Sequence, residues 1–419
     1  MARFAYSLLL YLITPLIWVR LLWRSRKQPE YLQNIGERYG FYRQSTHPKL
    51  IWEHAVSVGE TRAAQPLIEG LLTGWPDHRI LLTGMTPTGR EAGRQVYGDK
   101  VIQAYLPYDY PDAVDRFLRH FSPDVGVLME TEIWPNLLAG AKRRHVPMVL
   151  ANARLSARSA RGYGRFSALV RPAFSALACV AAQTPGDAER LAGLGASPVE
   201  VCGNLKFDVT PSADKIALGG EWKKVVGNRP VWLAASTREG EEPLLLEAWR
   251  CVTVPDALLV LVPRHPQRFD EVAALLQSEG LRFARRSVTM PTADTQIWLG
   301  DSMGEMVAYY ALADLAFIGG SLLPLGGQNL IEAAACGCPV LIGPHTFNFK
   351  QATEDAIAAG AAQRVDSPAM LASTVNQIFS QKTELSTMRS VARTFARTHQ
   401  GATQRILALI ARWTGRAGR

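Results

Sequence analysis

The sequence is poor in cysteine and in the short motifs that betray many cofactor-binding chains. Five cysteines (Cys179, Cys202, Cys251, Cys336 and Cys338) are scattered over 419 residues, and an odd, dispersed set does not make a disulfide framework. A reducing cytoplasm is the expected setting. Cys336-Gly-Cys338 has no second Cys/His cluster near it, so no metal site is expected. Neither G-x-G-x-x-G nor G-x-x-x-x-G-K-[ST] occurs, which removes the dinucleotide fingerprint and the P-loop. Asp-x-Asp, a common metal-holding pair, is missing too. Internal repeats and low-complexity segments are absent.

Charge is unbalanced. Lys and Arg number 46 against 37 Asp and Glu, a net +9, which favours anionic partners: nucleic acid, acidic lipid or a phosphorylated substrate. Zinc-finger spacing and RRM-type aromatics are lacking, so nucleic acid is not the expected one. The basic residues gather near the two termini. Phe4–Val19 is uncharged and apolar, and Arg20, Arg24, Arg26 and Lys27 follow it against Arg3 before it. Sixteen helical residues reach about 24 Å, short of a hydrocarbon core of about 30 Å. Arg20 can snorkel, and no small-residue cleavage site is present. An uncleaved span and a helix lying on the inner leaflet both fit, and the positive-inside rule keeps the rest of the chain cytoplasmic.

What the sequence has in abundance is alternation of apolar runs with helical patterns. A first series runs through Leu50–Ala55, Ile80–Met85, Val101–Leu106, Val125–Met129, Val146–Ala151, Ala178–Ala182 and Val199–Cys202. A second runs through Val231–Ala235, Ala257–Val262, Thr295–Leu299, Asp314–Ile318 and Pro339–Ile342. The spacing predicts βα repeats and two doubly wound α/β domains of Rossmann type, with ligands at the carboxyl ends of the strands, in a cleft. Polar, proline-bearing Asp208–Lys224 reads as the hinge. The expected segments are 1–30 (anchor helix and basic flank), 31–210, 211–384, and a basic C-terminal helix over 385–419 that returns to the N-terminal domain.

The stretch Pro324–Pro344 is the focus of the pattern. After the apolar run Leu315–Gly319, Gly326 and Gly327 precede Asn329 and Glu332, whose spacing is that of a capping box opening a helix near Leu330. Helix N-termini offer N–H groups to a phosphate. Ser57-x-x-Glu60 is a second box and Ser302-x-x-Glu305 a third, opening a helix over Met303–Leu312. Glu60 reads either as a cap, which the spacing favours, or as a general base at a strand's carboxyl end. Glu130 and Glu132 after Val125–Met129 repel one another unless a cation is near, and Lys206 supplies one or is a surface lysine. Arg264, between Pro263 and His265-Pro266, sits in a stiff loop suited to phosphate or carboxylate; His265 reads as a structural histidine. Together these ends point to a nucleotide site.

HAVSVGE (54–60), TPTG (86–89), METEIWPN (129–136), LANARLS (150–156), GNLKFD (203–208), VPRHPQRF (262–269), GDSMGE (300–305), FIGGSLLPLGGQN (317–329) and GPHTFNF (343–349) resemble the 3-deoxy-D-manno-octulosonic acid (Kdo) transferases over nearly the whole chain. The resemblance implies the GT-B fold and transfer of Kdo from CMP-Kdo to the lipid A precursor, lipid IVA, at the cytoplasmic face of the inner membrane, without metal or cofactor. It implies Glu60 as proton acceptor, with Glu130 and Lys206 stabilising the transition state. It implies cytidylate contacts from Pro263, Arg264, Met303, Gly304, Glu305, Asn329, Leu330, Ile331 and Glu332. Gln328 and Arg238 stand where the family usually has His. Another GT-B enzyme using a UDP-sugar, or a non-catalytic membrane-bound nucleotide- or lipid-binding module, is the alternative.

Overall fold

Two parallel sheets organise the computed structural model, which describes residues 1–208 and 210–414. The chain divides into two units, Met1–Asp208 with Gln400–Arg419, and Val209–His399. The first sheet contains β1 (Leu50–His54), β2 (Arg79–Gly84), β3 (Val101–Tyr105), β4 (Val125–Met129), β5 (Met148–Ala153), β6 (Cys179–Ala182) and β7 (Val199–Val201). Their order across the sheet is β3-β2-β1-β4-β5-β6-β7. The second contains β8 (Val231–Thr237), β9 (Leu258–Pro263), β10 (Phe283–Arg285), β11 (Ile297–Leu299), β12 (Leu315–Ile318), β13 (Val340–Ile342) and β14 (Ala362–Arg364), in the order β10-β11-β9-β8-β12-β13-β14.

Both faces of each sheet are buried, which is why the strands read as unbroken apolar runs. In β1, Leu50 and Trp52 enter one core with Phe117, Phe121 and Leu150. Ile51, on the other face, joins Leu67, Leu71 and Val127. The last helix, Ala402–Ala411, closes this second core with Ile406 and Ile410. In the other unit Trp232, Leu261 and Phe317 pack with Leu371, Val375 and Ile378.

Several expectations change. The tail is two helices, Lys382–Thr398 and Ala402–Ala411, interrupted where Gly401 takes a φ of +94°. The first belongs to the second unit, where Arg389 pairs with Asp314 at 2.5 Å, so that this basic residue of the tail is anchored rather than free. Residues 415–419 of the expected segment lie outside the described residues. The presumed hinge 208–224 is largely helix, since Ala213–Val226 packs Trp222 against Trp298 and Tyr309. The strands β10 and β14, three residues each, went unread. The N-terminal run is also two helices, Ala2–Leu12 and Thr14–Ser25, bent by 48°. Pro15 lacks the N–H needed to continue the first helix. No single described helix is long and apolar enough to cross a membrane.

Candidate active site

In a sheet whose strands are laid down outward in both directions, the crevice lies where the order reverses. In the first unit that place is between β1 and β4. The segment leaving β1 is Ala55–Glu60, and Glu130 directly follows β4. Here Ser57 Oγ accepts from the Glu60 N–H, and the Glu60 carboxylate accepts from the Val56 N–H at 2.8 Å. The Ser57 cap is therefore real, while the glutamate reaches back one residue beyond the cap, to Val56, which fixes the carboxylate rather than excluding it from chemistry. Burial pushes Glu60 up to about 7, against the Val56 N–H and with help from the charges of Glu130 and Glu132. Burial likewise raises Glu132, whose carboxylate accepts from the Trp134 indole N–H at 2.8 Å.

Glu130 has a φ of +57°, a left-handed conformation that a glutamate adopts only when its surroundings enforce it. Its N–H donates to the Ala151 carbonyl at 2.9 Å. Lys206 lies in the short helical turn Leu205–Asp208. Burial lowers its pKa, while Glu130 and Glu60 oppose that shift; Glu60, Glu130 and Lys206 thus share one electrostatic neighbourhood. Asn152, also left-handed at φ 52°, accepts the Leu205 N–H on its side-chain oxygen at 3.1 Å. Asp208 accepts the N–H of Gly401 at 2.6 Å and that of Thr403. The lysine turn is thereby held at both ends. His54 is a core residue: fully buried, lowered by burial to about 3, and bonded through Nδ1 to Thr83.

In the second unit the order reverses between β8 and β12. Pro263 ends β9, and the Arg264 N–H donates to the Thr237 carbonyl at 3.0 Å. Ser302 does not cap: its hydroxyl donates to the Glu305 carboxylate at 2.5 Å, and the helix begins later, at Met306. Glu305 also pairs with Arg286 at 3.0 Å, while Met303 is exposed and Gly304 has φ +75°. Asn329 Oδ1 accepts the Ile331 N–H at 3.0 Å, at the start of the five-residue helix Ile331–Ala335. Leu330 and Ile331 are fully buried, so only their backbone can face a ligand. The Tyr310 hydroxyl donates to the Asn329 carbonyl at 3.5 Å and ties the 303–305 turn's helix to this segment. His265 is lowered by partial burial and by the charges of Arg238, Arg264 and Arg268.

Among the described residues no three His, Cys, Asp or Glu side chains are placed to hold a metal ion. The family profile for 3-deoxy-D-manno-octulosonic-acid transferase (kdotransferase) matches residues 33–209. A 3-deoxy-D-manno-octulosonic acid transferase of Bordetella pertussis is 44% identical over 432 residues, spanning 99% of this chain and 100% of its own. The chain belongs to the Kdo transferase family. It is an enzyme, a glycosyltransferase. The Haemophilus influenzae member is 39% identical, with 98% of each chain covered. Two solved structures share the GT-B-type fold of this Kdo transferase family member. UDP-GlcNAc 2-epimerase from Neisseria meningitidis has a TM-score of 0.59 at 16% identity over 87% of this chain and 100% of its own. MurG of Acinetobacter baumannii has a TM-score of 0.55 at 14% identity over 87% and 99%.

Sequence reasoning missed three residues that build these ends. Asn152 gave no signal, since its strained backbone is visible only in three dimensions. Glu241 and Glu242 are fully buried. Glu242 accepts from Thr237 Oγ1 at 2.8 Å and pairs with Arg268 at 3.0 Å, and Glu241 accepts four backbone N–H groups. Two adjacent acids, with three residues between them and the end of an apolar strand, were the available clue.

Proposed function

We propose that this chain moves Kdo from CMP-Kdo to a hydroxyl of the lipid A precursor in lipopolysaccharide synthesis, with inversion and with Glu60 as base. The observation that carries the reading is the raised Glu60 carboxylate, near 7, at the reversal point of the first sheet. A base is most effective when its pKa sits close to the working pH. Glu60 takes the proton of the acceptor hydroxyl; that oxygen bonds the anomeric carbon; the carbon–oxygen bond to the phosphate breaks and its electron pair leaves with CMP. Displacement from the opposite side turns a β-linked donor into an α-linked product.

Lys206 contributes positive charge to the transition state, and Glu130 keeps that lysine protonated and in place. Arg264 and the backbone N–H groups around Asn329–Glu332 hold the cytidylate, with Pro263, Met303, Gly304 and Glu305 around it. Fixed donors of this kind stabilise departing phosphate charge without an ion. Family membership supports the donor assignment. Mass spectrometry of products from CMP-Kdo and tetraacylated precursor tests it and counts the sugars added; turnover of UDP-sugars in place of CMP-Kdo would sink it.

We place the chain on the cytoplasmic face of the inner membrane, its paired N-terminal helices lying in the leaflet. Phe4, Leu8, Leu12, Leu16 and Trp23 are all at least half exposed. The inner side is fastened to the first unit by Ser7 to Asn136, Tyr11 to Asp112 and Thr14 to Tyr110, an arrangement for lying flat. Leu8→Glu with Leu12→Glu should release the protein from anionic vesicles in flotation; unchanged flotation would contradict this placement.

A further inference from the structure

The reversal point of the second sheet carries more positive charge than one phosphate requires. β8 ends in a bulge, with Ser236 at φ 57° and the register with β9 shifting between Ala235 and Thr237. Bulges re-aim the residues that follow, and here the following residue is Arg238. Its N–H donates to Glu241 at 2.9 Å, and the same carboxylate accepts from Gly320, Ser321 and Leu322 at 2.5, 3.0 and 3.2 Å. Glu241 is thus fully engaged by backbone and leaves the Arg238 guanidinium uncompensated. Arg268 nearby is paired with Glu242 and Glu271; among the described residues Arg238 and Arg264 have no carboxylate partner.

The loop after β12 folds back on itself, the Gly327 N–H reaching the Gly320 carbonyl at 2.7 Å and the Gln328 N–H reaching that of Gly319 at 3.0 Å. This brings Gln328 over Gly320, whose φ is +69°. A methyl group set on Gly320 would stand 3.2 Å from Gln328 Nε2 and 3.5 Å from Arg238 Cγ. Arg238 and Gln328 are therefore neighbours in space, flanking one glycine beyond the carboxyl ends of β8 and β12.

We propose that Arg238 and Gln328 form a carboxylate-binding pair that holds the acid group of the donor sugar, beside Arg264 on the phosphate. This rests on CMP-Kdo being the donor. Kdo carries its carboxylate on the anomeric carbon, the same carbon that bears the phosphate oxygen, so the donor presents two anions side by side. Two uncompensated guanidiniums match them, and a planar guanidinium with an amide N–H beside it suits the two oxygens of a carboxylate. Beside its partial burial, His265 is lowered by the charges of Arg238, Arg264 and Arg268 together, in keeping with arginines that share one region. The pair would select acidic sugar nucleotides over neutral ones.

The test uses the full chain in detergent, measuring the Kd for CMP by calorimetry and the KM for CMP-Kdo. Arg238→Ala should raise the KM at least about tenfold, the loss of one charge-assisted hydrogen-bonding group, while the Kd for CMP stays within about twofold. Gln328→Ala should do the same more weakly, and Arg238→Lys should recover part of the loss. Arg264→Ala should weaken both ligands. Equal weakening of CMP and CMP-Kdo by Arg238→Ala, or no change in either with both Arg238→Ala and Gln328→Ala, overturns the proposal. Wild-type protein that binds no CMP would bring down the donor reading itself, a result distinct from either.

Discussion

The two sheets have nearly the same plan and opposite chemistry. Each reverses its strand order beside its first strand, at β1/β4 and at β8/β12, and each uses the strand ends there to present polar groups. The first presents Glu60 and Glu130 around one lysine, with Glu132 beside the two acids; the second presents Arg238, Arg264 and His265 near buried Glu241 and Glu242. In the first unit, burial and like charges raise the Glu60 carboxylate to about 7. In the second, Glu241 is spent on backbone N–H groups and Glu242 on Thr237 and Arg268, which leaves Arg238 and Arg264 without a carboxylate partner among the described residues. The lesson is that topology chooses where a site goes, and the few residues after each strand choose the charge it presents.

The sharpest way to break the comparison is to remove the proton acceptor. Glu60→Gln should lower single-turnover rate by roughly 10²–10⁴-fold with CMP affinity unchanged; retained turnover means that the acidic end is not the chemical one. The next effect falls on the basic end. Glu241→Ala strands four buried N–H groups and should cost several kcal/mol in urea unfolding, at about 1–3 kcal/mol per unsatisfied group before relaxation, and abolish CMP binding. A stable, CMP-binding variant would show that Glu241 does not build the site.

Glu53 sharpens the comparison from inside the first core. It is fully buried, neither oxygen has a hydrogen-bond partner, and burial pushes it up to about 8. Because the folded value lies above the unfolded one, the stability linked to its proton is complete below about 4.5 and is lost as pH rises to about 8. Glu53→Gln should therefore flatten the fall in thermal midpoint between those limits, an effect on the order of a few kcal/mol at the alkaline end. An unchanged pH slope would mean the carboxyl is solvated in the folded protein. Unlike Glu60, Glu53 lies within a strand and not beyond its carboxyl end, so no loss of CMP affinity is expected.

Much of this was readable in one dimension. The longer, doubly buried strands announce themselves because most of their positions are apolar, and the capping spacing at Ser57–Glu60 is local. Edge strands β10 and β14 escaped because three residues with arginine among them carry no period. The break at Pro15 was written in the sequence but masked by an apolar run on both sides. Ser302 and Glu305 have capping spacing, yet the Ser302 hydroxyl donates to the Glu305 carboxylate, which Arg286 also holds, a contact no local rule contains. Positive φ at Glu130, Asn152 and Ser236 comes from strand ends meeting across the sheet, and with it the re-aiming of Arg238.

The most direct test of the division between the two ends is the pH dependence of the single-turnover rate at saturating donor. If Glu60 must be ionised and sits near 7, the rate rises about tenfold per pH unit below that value and levels above it. The rising limb should move to lower pH in Glu130→Gln, which removes one of the charges that raise Glu60. A rate indifferent to pH between about 5.5 and 8.5, or a limb that persists unchanged in Glu60→Gln, contradicts the account.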